Sequence, residues 1–191
     1  VYAVTVQDAI GCAMVHIPGI YITEPATLGM TVIESNPVSC NGGFDGQAWV
    51  SAVTGGTAPF TYTWPGGITN NTSQYSPTLS AGTYTVDVTD DNGCTGTQSF
   101  TITEPLAIDP NVSASSFGGF NIDCNGNSTG TLGANPIGGI GTLPGDYTYS
   151  WSTGAITQNI SGLSASTYTI TVTDINLCTG TQYITLTEPP A

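Results

Sequence analysis

One eleven-residue pattern occurs three times in this chain, and it constrains the fold more than any bulk property. YAVTVQDAIGC at 2–12 returns as YTVDVTDDNGC at 84–94 and as YTITVTDINLC at 168–178. Tyr2, Tyr84 and Tyr168 are 82 and 84 residues apart, and so are Cys12, Cys94 and Cys178. A T-E-P triplet closes each copy, at Thr23-Glu24-Pro25, Thr103-Glu104-Pro105 and Thr187-Glu188-Pro189. Self-similarity at a fixed period marks a tandem array. The organisation read from it is a partial repeat at 1–25, a complete repeat at 26–105 and a second complete repeat at 106–191. Residues 1–25 read as the tail of a preceding repeat. The alternative is a processed N-terminus whose strand at 2–6 completes a neighbouring filament subunit by strand addition.

Within each repeat the apolar pattern has the period of strands. FTYTW at 60–64 sets Phe60, Tyr62 and Trp64 on one face and threonines on the other, and YTYSW at 147–151 matches it. Strands are expected at 28–34, 47–53, 60–64, 84–89 and 98–104, and 65–78 is expected as a turn-rich connection. If Ala48, Val50 and Ala52 face inward, Trp49 faces out. Short strands with frequent turn signals and no helical period imply antiparallel β-sandwiches of the immunoglobulin or fibronectin kind. LSAGTY at 79–84 and LSASTY at 163–168 resemble a tyrosine corner, in which Tyr84 and Tyr168 pin a crossover through their hydroxyls, with Tyr2 equivalent to them. Trp64 and Trp151 are the expected core anchors.

The cysteines point to an oxidising compartment. Cys40 and Cys94 are 54 residues apart, and so are Cys124 and Cys178. Equal spacing argues for one disulfide per repeat, Cys40–Cys94 and Cys124–Cys178, the alternative being pairs of buried free thiols. Cys12 is expected to find its partner upstream of residue 1. Such bonds persist in the periplasm, at a cell surface or outside the cell.

Charge excludes several function classes. The chain has 13 Asp plus Glu, one His and no Lys or Arg. Nucleic-acid binding rests on cationic side chains that displace counterions from phosphates, so it is excluded, as is attraction to an anionic membrane. No apolar run approaches the length of a membrane span. With no Lys or Arg pairs to break, moderate acid should destabilise this protein less than usual, the turn-capping Asp residues being the exception.

Candidate chemistry is sparse. His16 is the only histidine and has no equivalent in the two complete repeats, so it is read as structural. Asp90, Asp91 and Asn92, with Asp174 and Asn176 in the matching turn, are candidates for Ca²⁺, although short Asp/Asn runs also close turns on their own backbone. Glu104, like Glu24 and Glu188, stands at a repeat junction where a carboxylate could share a cation. Trp49 is a candidate ligand contact, but Gly133 takes its place in the second repeat. No cofactor is expected beyond that possible Ca²⁺. No phosphate loop, nucleotide fingerprint or nucleophile elbow appears, and an enzyme is not expected.

The ordered signatures C-N-G, T-G-G-T, T-Y-x-W, L-S-A-G-T-Y, T-D-x-x-x-C and T-E-P resemble the SprB repeat of very long surface adhesins of gliding bacteria. The resemblance covers about 37–105 and again about 121–189, with 1–25 similar to the repeat's final third. The second copy departs from it: Asn125–Ser128 lacks the Gly-Gly pair, Ser166 stands for Gly82, and Leu177 for Gly93. The resemblance implies an extracellular, cell-surface, filament-like adhesin segment exported by type IX secretion, with adjacent repeats as partners. The alternative reading is a module that binds surface polysaccharide or another polymer.

Overall fold

The computed structural model describes residues 2–20, 23–141 and 144–191, with the side chains of 2–4, 15–20, 68–71 and 144 outside the description. Every strand pairing in it is antiparallel. Among the described residues the only helical element is a 3-10 turn at Pro144–Asp146. Among the described residues no helix is long and apolar enough to cross a membrane.

The N-terminal segment is a hairpin of β1 (Tyr2–Gln7) and β2 (Ala13–Ile20). The first complete unit places β3 (Gly29–Asn36) and β4 (Gln47–Thr54) in one sheet. Its second sheet holds β5 (Thr61–Trp64), β6 (Ile68–Asn71), β7 (Gly82–Thr89) and β8 (Thr95–Ile102), ordered β6-β5-β7-β8. The other complete unit has β9 (Val112–Ala114), β10 (Gly130–Ala134) and β12 (Asn159–Leu163) in the order β12-β10-β9. Facing them are β11 (Thr148–Trp151), β13 (Ser166–Thr173) and β14 (Thr179–Leu186) in the order β11-β13-β14. The all-β, immunoglobulin-like expectation holds. Two strands were not anticipated: β12, and β6, which falls inside the stretch expected to be turn-rich, where Gly66 and Gly67, both at positive φ, fold Ile68 back onto β5. Ala52 is exposed where it was expected inward, because the β3–β4 register shifts at Thr31/Val32 and turns Val53 to the core side in its place.

Each unit buries its own core, because alternate side chains of its strands meet between its two sheets. In the first unit Val50, Trp64, Val86, Val88 and Ile102 are at most 1% exposed. In the second, Ile122, Leu132, Ile170 and Val172 are equally sealed around Trp151. The indole N–H groups donate to Ser73 O at 3.1 Å and to Thr157 O at 2.8 Å, which removes the cost of burying them.

The crossovers are tied as a tyrosine corner requires. Tyr84 Oη donates to Ser80 O and Tyr168 Oη to Ser164 O, each at 3.0 Å. The Tyr84 ring also packs on Phe100, with centroids 5.8 Å apart. The side chain of Tyr2 lies outside the described residues.

Candidate functional site

The feature of this structure that sequence spacing did not show is the joint between the two units. Each unit presents one set of motifs at its outgoing end and another at its incoming end. Hydrogen bonds close both sets.

At the outgoing end, the Cys40-Asn41-Gly42 loop follows β3 and is clasped by the T-E-P segment that follows β8. Gly42 N donates to Glu104 Oε2 at 2.6 Å, and Asn41 Nδ2 donates to Pro105 O at 3.1 Å. Gly43 N donates to Cys40 O at 2.9 Å, which tightens the turn. Ser39 N, one residue before the cysteine, donates to Asp45 Oδ1 at 3.0 Å. The carboxylate of Glu104 therefore holds the cysteine loop against the departing linker.

At the incoming end, the D-x-x-x-C turn between β13 and β14 is organised around Asp174. Its Oδ1 accepts from Asn176 N and Cys178 N, each at 2.9 Å. Its Oδ2 accepts from Ile140 N at 2.9 Å, which ties the turn to the Gly138-Gly139 loop. This is an Asp closing a turn on its own backbone, extended by one contact. The linker from the first unit is laid across this end. Gly139 N donates to Leu106 O at 2.8 Å. A Cβ at Gly180 would collide with the carbonyl of Ile108, so the T-G-T after Cys178 is glycine because the linker backbone lies on it. Leu177 keeps the turn although it replaces glycine: it adopts φ +66°, against +80° at Gly93.

Outgoing and incoming ends meet at a disulfide between Cys40 and Cys178, with Cα atoms 5.5 Å apart and a sequence separation of 138. Asn176 Nδ2 donates to Ser39 O at 3.4 Å beside it. A cavity of about 320 Å³ at the joint is lined by Cys40, Asn41, Pro105, Leu106, Leu177 and Cys178 among others.

This corrects the expected pairing. Cys40–Cys94 and Cys124–Cys178 do not form; Cys94 and Cys124 are free and exposed, as is Cys12. The reason is strand length. Cys94 precedes the first residue of β8, whereas the loop of Cys40 is clasped by Glu104 just beyond its last. Eight residues of strand separate those ends by roughly 26 Å. A disulfide needs Cα atoms within about 7 Å. The bridge therefore joins units, where one disulfide inside each unit was expected.

The remaining candidates lie elsewhere. Asp90 matches Asp174: its Oδ1 accepts from Cys94 N at 2.7 Å and Asn92 N at 3.1 Å, and its Oδ2 from Thr57 N at 2.9 Å. Asp91 N donates to Thr57 O at 3.0 Å. Among the described residues no group of three or more His, Cys, Asp or Glu side chains is placed to hold a metal. Trp49 stacks on Tyr75 at 5.9 Å and 18°, on the outer side of β4. His16 is on β2, and its side chain lies outside the described residues.

The aspartates determine the acid response. The backbone N–H of Thr57 is the largest influence holding Asp90 below the usual carboxylate value of 3.8, and Cys94 and Asn92 add to it. Hydrogen bonds from Ser39 lower Asp45, and those from Thr129 and Asn127 lower Asp123. A carboxyl depressed in the folded state takes up its proton more readily when unfolded, so stability is lost as pH falls below 3.8 toward the folded values. The urea midpoint is expected to stay level from neutral pH down to about 4 and to fall below it. A decline already under way between about pH 6 and 5 would contradict this.

The fold and joint define a class: tandem all-β modules in which covalent bonding runs from one module to the next. Residues 32–69 match the family model described as the SprB repeat, so over that stretch the resemblance read from the motifs is a family match. No curated protein matches the chain. Among solved structures, the C-terminal 282-residue fragment of intimin, in complex with the intimin-binding domain of its translocated receptor, aligns at 15% identity and TM-score 0.38. The alignment covers 86% of this chain and 64% of that fragment. An amphioxus IgVJ-C2 molecule aligns at 13% identity and TM-score 0.30, over 86% of this chain and 98% of that one. The PcdhgB3 EC1-4 structure aligns at 11% identity and TM-score 0.32, over 99% of this chain and 64% of that one. Likenesses this remote define neither ligand nor partner.

Proposed function

We propose that this chain is a load-bearing segment of a long extracellular repeat protein, an adhesin-type stalk or filament at a bacterial cell surface. The observation that carries the reading is the Cys40–Cys178 bridge, which joins consecutive units and bypasses the chain between them. A bond so placed has an evident use in a structure under tension and none in a site that performs a reaction. The SprB match at 32–69 supports the surface location and the adhesive class. Export by type IX secretion and a part in gliding follow from the family resemblance and belong to the proposal. Adjacent units are the primary partners. Antibodies against the folded segment should label intact, unpermeabilised source cells, and protease added outside should remove the label. Labelling that requires permeabilised cells would sink the reading.

A second reading has one observation in its favour. Tyr75 is 57% exposed and stacked on Trp49, which makes an aromatic platform of the kind that packs on sugar rings. Reproducible binding on a glycan array, lost in Trp49→Ala with the fold retained, would move the function from support to recognition.

A further inference from the structure

We propose that Cys94 and Cys124 are half-bridges of the same kind as Cys40–Cys178: Cys124 takes the D-x-x-x-C cysteine of a following unit, and Cys94 takes the C-N-G cysteine of a preceding one. The occupant of each open end is another copy of this unit. The joint then repeats along an array as a covalent ladder. This inference concerns the joint alone and stands whether or not the array is a cell-surface stalk.

The argument rests on the two open ends having the geometry of the two closed ones. Cys124 is presented as Cys40 is. Gly126 N donates to Glu188 Oε2 at 2.8 Å, where Gly42 N donates to Glu104 Oε2 at 2.6 Å. Asn125 Nδ2 donates to Pro189 O at 3.0 Å, where Asn41 Nδ2 donates to Pro105 O at 3.1 Å. Asn127 N donates to Cys124 O at 3.1 Å, where Gly43 N donates to Cys40 O at 2.9 Å. The loss of the Gly-Gly pair in the second unit leaves this loop intact. The flanking lock is also kept with its partners exchanged: Thr129 Oγ1 donates to Asp123 Oδ1, in place of Ser39 N to Asp45 Oδ1.

Cys94 is likewise presented as Cys178 is. Asp90 caps its turn through the same two backbone N–H groups as Asp174, and Asp90 N and Asp174 N donate to the carbonyls of Cys94 and Cys178, each at 3.0 Å. The incoming linker crosses the same glycine: a Cβ at Gly96 would meet Leu28 O, as one at Gly180 would meet Ile108 O. This end carries an open cavity of about 480 Å³, lined by Pro25, Thr27, Leu28, Gly56, Asp90 and Cys94 among others. At the closed joint the equivalent surface receives Cys40 and Asn41.

A cysteine pair whose loops are set before they meet loses little conformational freedom on bonding. Linkage in one chain holds the two ends at an effective concentration in the millimolar range. The chemistry balances with a small-molecule disulfide as oxidant. The thiols of Cys124 and its partner lose two protons and two electrons and form one S–S bond, while oxidised glutathione accepts them and becomes two molecules of glutathione.

The test is the full chain continued after Pro189 by a second copy of residues 26–191, oxidised in a glutathione redox buffer. Disulfides are mapped after cleavage at Asp, Glu or aromatic residues, since the chain offers no Lys or Arg. The expected result is Cys40–Cys178 within each copy, plus Cys124 of the first copy bonded to Cys94 of the second. Cys124→Ser should remove that one bridge and leave both Cys40–Cys178 bridges, which report folding. A free Cys124 beside intact Cys40–Cys178 bridges would overturn the proposal. So would pairing inside units, or failure of Cys40–Cys178 to form, since that bond is the template for the other.

Discussion

Pulled from its two ends, the oxidised chain is expected to extend only through the segments outside the bridge, residues 1–39 and 179–191. Tension entering at the N-terminus reaches Cys40 and crosses to Cys178, so the intervening residues carry no load. Neither sandwich can give its full unfolding length. With a reductant present, the sequestered stretch is released. At 3.3–3.6 Å per extended residue it adds roughly 450–490 Å of contour length, less the folded dimension of the two units. Single-molecule force spectroscopy with and without reductant reads this directly. Full-length unfolding of both units under oxidising conditions would show that the bridge does not span the joint. Equilibrium stability should move in the same direction. Closing a loop of 138 residues contributes about 5 kcal/mol by the loop-entropy relation, an upper figure because the folded units already restrict the ends.

The second large effect is local to one core. Trp64 is 1% exposed, and its ring meets Phe100 edge-on with centroids 5.8 Å apart. Trp64→Ala removes that packing and leaves a cavity, at a cost of about 3–5 kcal/mol. A unit of this size has a total stability of roughly 4–12 kcal/mol, so the first unit should be brought close to unfolding at room temperature. The second unit has a separate core around Trp151 and should keep its own transition. Calorimetry should therefore resolve two transitions, with only one moved. A common shift of both would mean that the cores are coupled through the joint.

Much of the fold was legible because it is written locally. Alternation of side chains along a strand set Tyr62 and Trp64 on one face, and both are buried. The L-S-A-G-T-Y signature carried its own tertiary contact, since Tyr84 and Ser80 are four residues apart. The Asp90 turn was readable for the same reason. β6 was missed because its four residues follow a glycine pair and end in Asn70 and Asn71, which read as turn.

The joint was not legible, and its residues show why. Glu104 and Gly42 are 62 residues apart, so nothing in the local pattern joins T-E-P to C-N-G. The cysteine spacing was present but ambiguous. In a tandem repeat any two positions recur at the same separation, so 54 residues between cysteines appears whether the bond closes inside a unit or between units.

Composition, periodicity and motif order by themselves determined that this is a repeating all-strand chain, with cores anchored on Trp64 and Trp151 and no Lys or Arg to grip a phosphate. Only the tertiary structure decided which cysteines meet, because a sandwich carries its loops at two opposite ends and strand length sets which end each reaches. Cys40 lies at the outgoing end and Cys94 at the incoming one, so the covalent bond passes from unit to unit.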